Sequence, residues 1–148
     1  MKWIMIVLTI FCLHTNCFAQ EIKKLSAEDL QYLAKAIINN NDSYVWDIQL
    51  DDLKNLGRAF VNKEKSYIWH IKSADIQNFA KAVLDDKSYT GFIKSVDLRY
   101  LAQALIENDN SFILYIESED LQNFAKAVMY KSESYTWHIR MNDFRIDN

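Results

Sequence analysis

The sequence predicts a mainly α-helical repeat protein: a right-handed-type solenoid of five units of about 23 residues, followed by a C-terminal stub. Three observations carry this. Asp29, Asp52, Asp75, Asp97, Asp120 and Asp143 follow one another at intervals of 23, 23, 22, 23 and 23 residues, each trailed by Leu, Ile or Phe. Ser43-Tyr44, Ser66-Tyr67, Ser88-Tyr89, Ser111-Phe112 and Ser134-Tyr135 keep the same beat. Small residues recur at two fixed places, Ala34, Gly57, Ala80, Ala102 and Ala125 at one and Ala36, Ala59, Ala82, Ala104 and Ala127 at the other. A period in the twenties marks units that cannot bury an apolar face alone and must stack on their neighbours.

Ahead of the repeats, residues 1–19 have the layout of a secretory signal peptide: Lys2, an apolar run from Trp3 to Leu13, a polar stretch, and small residues at Cys17 and Ala19 before Gln20. The apolar run is shorter than the roughly 20 residues of a membrane span. Cleavage near Ala19 is expected, leaving residues 20–148 as a single repeat domain that is secreted or periplasmic and without stable membrane insertion. Cys12 and Cys17 leave with the leader, so the mature chain holds no disulfide and depends on packing.

Each unit contains a legible helix. In DIQNFAKAVL, Ile76, Phe79, Ala80, Val83 and Leu84 fall at i, i+3, i+4, i+7 and i+8, one apolar face at the helical period. Ser73, Ser95 and Ser118, two residues before the aspartate, suit the N-cap, and the aspartate suits the positive end of the helix dipole. The aspartate ladder is therefore read as structural. The two small positions lie on opposite flanks of the helix, on either side of inward residues such as Leu33 and Ile37, and let neighbouring helices approach closely.

The segments SYVWDI, SYIWHI, SYTGFI, SFILYI and SYTWHI complete the units. Their composition suits strands, which would give a βα solenoid with a short parallel sheet. Strands about 4.8 Å apart, however, would crowd a column of rings beneath helices that pack 8 to 10 Å apart. One long and one short helix per unit is the favoured reading. The stub RMNDFRIDN is read as the start of a sixth helix closing one end of the stack.

The leader carries one charged residue, Lys2, so 16 of the 17 basic and all 20 acidic groups remain in the mature chain, a net charge of −4. That balance excludes a basic nucleic-acid footprint. Lys35, Arg58, Lys81, Gln103 and Lys126 share the outward helical position and form a mostly basic line, either a solvated face or a contact strip for an acidic partner. The third and fourth units depart from the pattern, with Gly91-Phe92 and Leu114-Tyr115 where the others have tryptophan. In the middle of a linear array, Phe92 and Tyr115 are a predicted binding patch.

Catalytic signals are sparse. His70 and His138, the histidines outside the leader, stand three units apart, too far in a linear stack to share a metal, and are read as half-buried packing residues. No HExxH, GxSxG or glycine-rich phosphate loop occurs. The expected function is that of an exported, non-enzymatic protein-binding repeat protein, an inhibitor or immunity factor acting on a secreted or periplasmic protein. No cofactor, metal or catalytic residue is assigned, and the candidate contact residues are Lys35, Arg58, Lys81, Lys126, Phe92 and Tyr115. The alternative is an exported hydrolytic enzyme with a histidine as general base.

Overall fold

The computed structural model describes residues 23–146; the expected leader lies outside the described residues. The chain is mainly helical and alternates long and short helices. The α-helices are α1 (Ala27–Asn39), α2 (Asp51–Asn62), α3 (Ala74–Leu84), α4 (Val96–Glu107) and α5 (Glu119–Tyr130). After each comes a 3₁₀ helix: η1 (Asp42–Asp47), η2 (Lys65–His70), η3 (Lys87–Phe92), η4 (Asn110–Tyr115) and η5 (Glu133–His138). The parallel-sheet alternative does not form. The strands among the described residues are β1 (Lys23–Lys24) and β2 (Arg145–Ile146).

Local chemistry sets the helix ends. The hydroxyls of Ser26, Ser73, Ser95 and Ser118 accept from the amides of Asp29, Ile76, Leu98 and Leu121, satisfying a first-turn donor in each case. Asn40, Lys63, Asn108 and Lys131 end their helices in the left-handed conformation, with φ of 47°, 54°, 51° and 49°. Helix α3 is the exception. It ends at Asp85 with φ of −129°, without a left-handed residue, and this one-residue economy produces the 22-residue interval between Asp75 and Asp97.

The short segments are 3₁₀ helices because their buried residues repeat every three positions, the spacing at which 3₁₀ side chains line up. Val45 and Ile48, Ile68 and Ile71, Ile113 and Ile116, and Thr136 and Ile139 are buried pairs, whereas Trp46, Trp69, Leu114 and Trp137 between them point outward. Asn41, Asp86 and Asp109 start three of these turns by accepting from the amides of Ser43, Ser88 and Ser111, each at 2.9 Å.

The aspartate ladder joins the units. Asp29 accepts from the amides of Gln49 and Leu50, Asp52 from Lys72 and Ser73, Asp75 from Lys94 and Ser95, and Asp97 from Glu117 and Ser118, at 2.7 to 3.0 Å. Asp120 takes three, from Arg140, Met141 and Asn142. Each carboxylate thus fixes the point at which the chain enters the following unit. A charge-assisted bond to two amides is among the stronger hydrogen bonds a protein makes.

The linear stack expected from the sequence is corrected to a closed ring. Helix α1 packs against α5 as well as α2, and η5 packs on α1. At this closing joint the Gln31 amide donates to the Ile139 carbonyl, the bond that Gln77 makes to Ile71 and Gln122 to Ile116 at internal joints. The stub forms no sixth helix. Its Asn142 side chain accepts from Ala27, Phe144 accepts from Leu25, and β2 pairs antiparallel with β1 through Lys23↔Ile146 and Lys24↔Arg145.

The flanking alanines make closure possible. A methyl on Gly57 would lie 3.2 Å from Val45 Cγ2 and 3.3 Å from Leu33 Cδ1, so this series faces the preceding unit at close range. In an open stack Ala34 and Ala127 would stand on the free ends; both are fully buried. Leu33, Leu56, Phe79, Leu101 and Phe124 converge on the axis, where Leu25 and Ile146 plug one end. The void left there is about 20 Å³, room for no more than a single water.

Candidate interaction face

The outward positions of the α-helices lie between rings of the 3₁₀ helices. The Arg58 guanidinium is 5.0 Å from the centre of the Trp46 ring in the preceding turn and 5.8 Å from Tyr67 in the following one. The Lys81 ammonium repeats this, 4.7 Å from Trp69 and 5.3 Å from Tyr89. Lys35 does the same across the closing joint, 5.0 Å from Trp137, with Tyr32 of its own helix at 5.8 Å. A cation at this range is drawn to the negative face of the ring. These three side chains are half-buried, so the solvated helix face considered from the sequence is not what they form.

The remaining outward positions differ. Lys126 sits at the same place in α5 but makes no such ring contact among the described residues. Gln103 replaces the cation in α4, and its Oε1 is buried without a hydrogen-bond partner.

Phe92 and Tyr115 are 66 % and 60 % exposed in adjacent units. They occupy the places of His70 and His138, one residue beyond the tryptophan position, which Gly91 and Leu114 hold in these units. Tyr115 stacks on Tyr100 at 5.1 Å, and Phe92 lies 6.1 Å from Tyr89. In a ring these units are not the middle of anything. The wall divides instead into an arc of three tryptophan units and an arc of two that carry Phe92, Leu114 and Tyr115.

The sequence reading missed the tryptophan arc because it treated Trp137 and Trp46 as opposite ends of a line. The available signal was the pair of alanine flanks kept on the first and last helices, where an open repeat stack carries larger or polar capping residues.

His70 and His138 correct another expectation: both are exposed rather than half-buried packing residues. Their carbonyls, not their rings, are held, by the side-chain amides of Asn55 and Asn123 at 3.4 Å. No group of His, Cys, Asp and Glu among the described residues has the arrangement of a metal site. A shallow hollow between the starts of α4 and α5, lined by Asp97, Glu117, Asp143 and Arg145 among others, contains neither histidine. Comparison with protein-family models, curated proteins and solved structures finds no match.

Proposed function

We propose that this chain is an exported, non-enzymatic protein-binding repeat protein, an inhibitor or immunity factor acting on a secreted or periplasmic protein through its outer wall. One observation carries the reading. Every repeat turns a large apolar side chain to solvent from its 3₁₀ helix: Trp46, Trp69, Phe92, Tyr115 and Trp137 are 60 to 72 % exposed. Aromatic residues and arginine are the types that concentrate at the centres of protein interfaces. The core closes around its own axis without these rings, whose contacts within the chain are with side chains of the outer wall such as Arg58, Lys81 and Tyr100. The repeated aspartates and serines support a scaffold over an enzyme, because they serve as clamps and caps. Export rests on the leader-like N-terminus, and the right-handed winding of the repeats belongs to the same reading.

The test is cross-linking and capture in the exported fraction of the native cells, with residues 20–148 as bait and a Trp46→Ala, Trp69→Ala, Trp137→Ala, Phe92→Ala, Tyr115→Ala variant as control. Retention of one protein by the native wall and its loss with the variant supports the proposal. Equal retention by both, or none by either, contradicts it.

A further inference from the structure

Ring closure assembles a surface that no linear arrangement of these repeats contains. Trp137 of the last 3₁₀ helix, Trp46 of the first and Trp69 of the second become consecutive along the wall, interleaved with Lys35, Arg58 and Lys81. The tryptophans are 66 %, 65 % and 72 % exposed. Summed over the three indoles this is on the order of 500 Å² of mostly apolar surface along one arc, divided by the cations that stand between the rings.

Resting on the protein-binding reading above, we propose that this arc is the contact surface and that its occupant is an acidic protein surface in which carboxylates alternate with apolar side chains. The charge pattern argues for the acidic partner. The mature chain is acidic overall, yet Lys35, Arg58 and Lys81 make no salt bridge among the described residues; the ion pair there is Lys65 with Asp85. The rings fix the cations in place but leave their N–H donors short of acceptors. Lys81 donates to Gln77, and Arg58 makes no side-chain hydrogen bond among the described residues. Arriving carboxylates complete those donors while apolar groups between them cover the indoles, so charge and area act together.

The residue after each tryptophan argues for a protein and against a uniform polymer. In ring order it is His138, Asp47 and His70, so the middle step of the arc carries a carboxylate where the two flanking it carry imidazoles. A glycan or a lipid surface repeats itself and has no use for that variation.

The experiment uses residues 20–148 and four probes: a soluble peptide alternating Glu with Leu and Phe, its counterpart with Lys for Glu, a neutral glucan oligosaccharide, and phosphatidylglycerol vesicles. Binding is read by isothermal titration calorimetry, which reports on every variant, including the one without tryptophan. The proposal expects the acidic peptide to bind, with affinity falling steeply between about 0.05 and 0.5 M salt. Lys35→Glu/Arg58→Glu/Lys81→Glu, or alanine at the three tryptophans, should each weaken binding about tenfold or more, whereas Phe92→Ala/Tyr115→Ala should leave it unchanged. Circular dichroism establishes that each variant is folded; these side chains lie outside the core. Equal binding of acidic and basic peptides, preference for the glucan or the vesicles, or no binding to any probe overturns the proposal. Capture of a native protein that survives loss of the three tryptophans but not of Phe92 and Tyr115 also overturns it, and leaves the protein-binding reading standing.

Discussion

The ammonium of Lys35, in the first α-helix, lies 5.0 Å from the centre of the Trp137 ring in the last 3₁₀ helix. The same relationship links Arg58 with Trp46 and Lys81 with Trp69, each across one internal joint. Residues 102 positions apart in the chain are therefore related as neighbours in successive repeats are. The fifth unit stands to the first as the first stands to the second, and the hydrogen bond from Gln31 to Ile139 says so independently.

Closure makes the small residues at the chain's two ends as demanding as those in the middle. Ala34→Leu and Ala127→Leu are each expected to destabilise the fold as much as Ala80→Leu, by about 1 to 3 kcal/mol or more, because all three side chains are at least 99 % buried between helices. Urea unfolding measures this. Native-like midpoints for the first two beside a lowered one for Ala80→Leu would describe an open stack.

Asp120 is fully buried and accepts from three backbone amides of the chain leaving the fifth unit. Asp120→Ala strands those donors and is expected to cost about 2 to 4 kcal/mol, whereas Asp51→Ala, at an exposed first-turn position, should change stability by no more than about 0.5 kcal/mol. Equal effects in denaturant titrations would mean that the clamp contributes nothing.

Lys63 and Lys131 hold left-handed backbone at φ of 54° and 49°, a conformation glycine adopts without cost. Lys63→Gly and Lys131→Gly should each stabilise by about 1 kcal/mol. Thermal unfolding shows this as a raised midpoint. Glycine in place of Asp85, where φ is −129°, should give no such gain.

Acid sensitivity has a local source in the loops. Amide and hydroxyl donation by Ser88 holds the Asp86 carboxyl below its ordinary value, and Ser111 does the same for Asp109. The folded state thus binds fewer protons than the unfolded one near pH 4. This contribution to stability is complete above the unfolded-state value of 3.8 and is lost as pH falls through the lower folded value. Asp86→Asn and Asp109→Asn keep the acceptor, as Asn41 does natively in the first unit, but remove the titration. Their stability should fall less steeply than that of the native chain below about pH 4. An unchanged slope in acid unfolding would contradict the assignment.

The long helices were legible because each of their signals, apolar period, serine cap and small flank, is written within one unit. The short helices were legible only in part. In SYVWDI the alternation of Tyr44, Trp46 and Ile48 imitates a strand, and what decides the outcome is the three-residue step from Val45 to Ile48, which follows from which side of the segment meets the core. The cross-unit role of the aspartates was hidden for a related reason. Asp52 is a plausible helix-dipole partner in its own unit, and its bonds to Lys72 and Ser73 exist only once the chain has returned. Closure, and with it the tryptophan arc, is a property of the angle between successive repeats, set by summed packing that no single residue announces. The exposure of the histidines is decided in the same way: Trp69 is 72 % exposed, and His70 follows it outward.

The most direct measurement of the ring is a nuclear Overhauser contact in residues 20–148 between the side-chain methylenes of Lys35 and the indole protons of Trp137. A closed ring predicts that contact together with upfield-shifted Lys35 signals, as for Lys81 over Trp69, both abolished by Trp137→Ala. Lys35 resonances at ordinary positions, with no contact to Trp137 while Lys81 still reports Trp69, would contradict closure and the surface built on it.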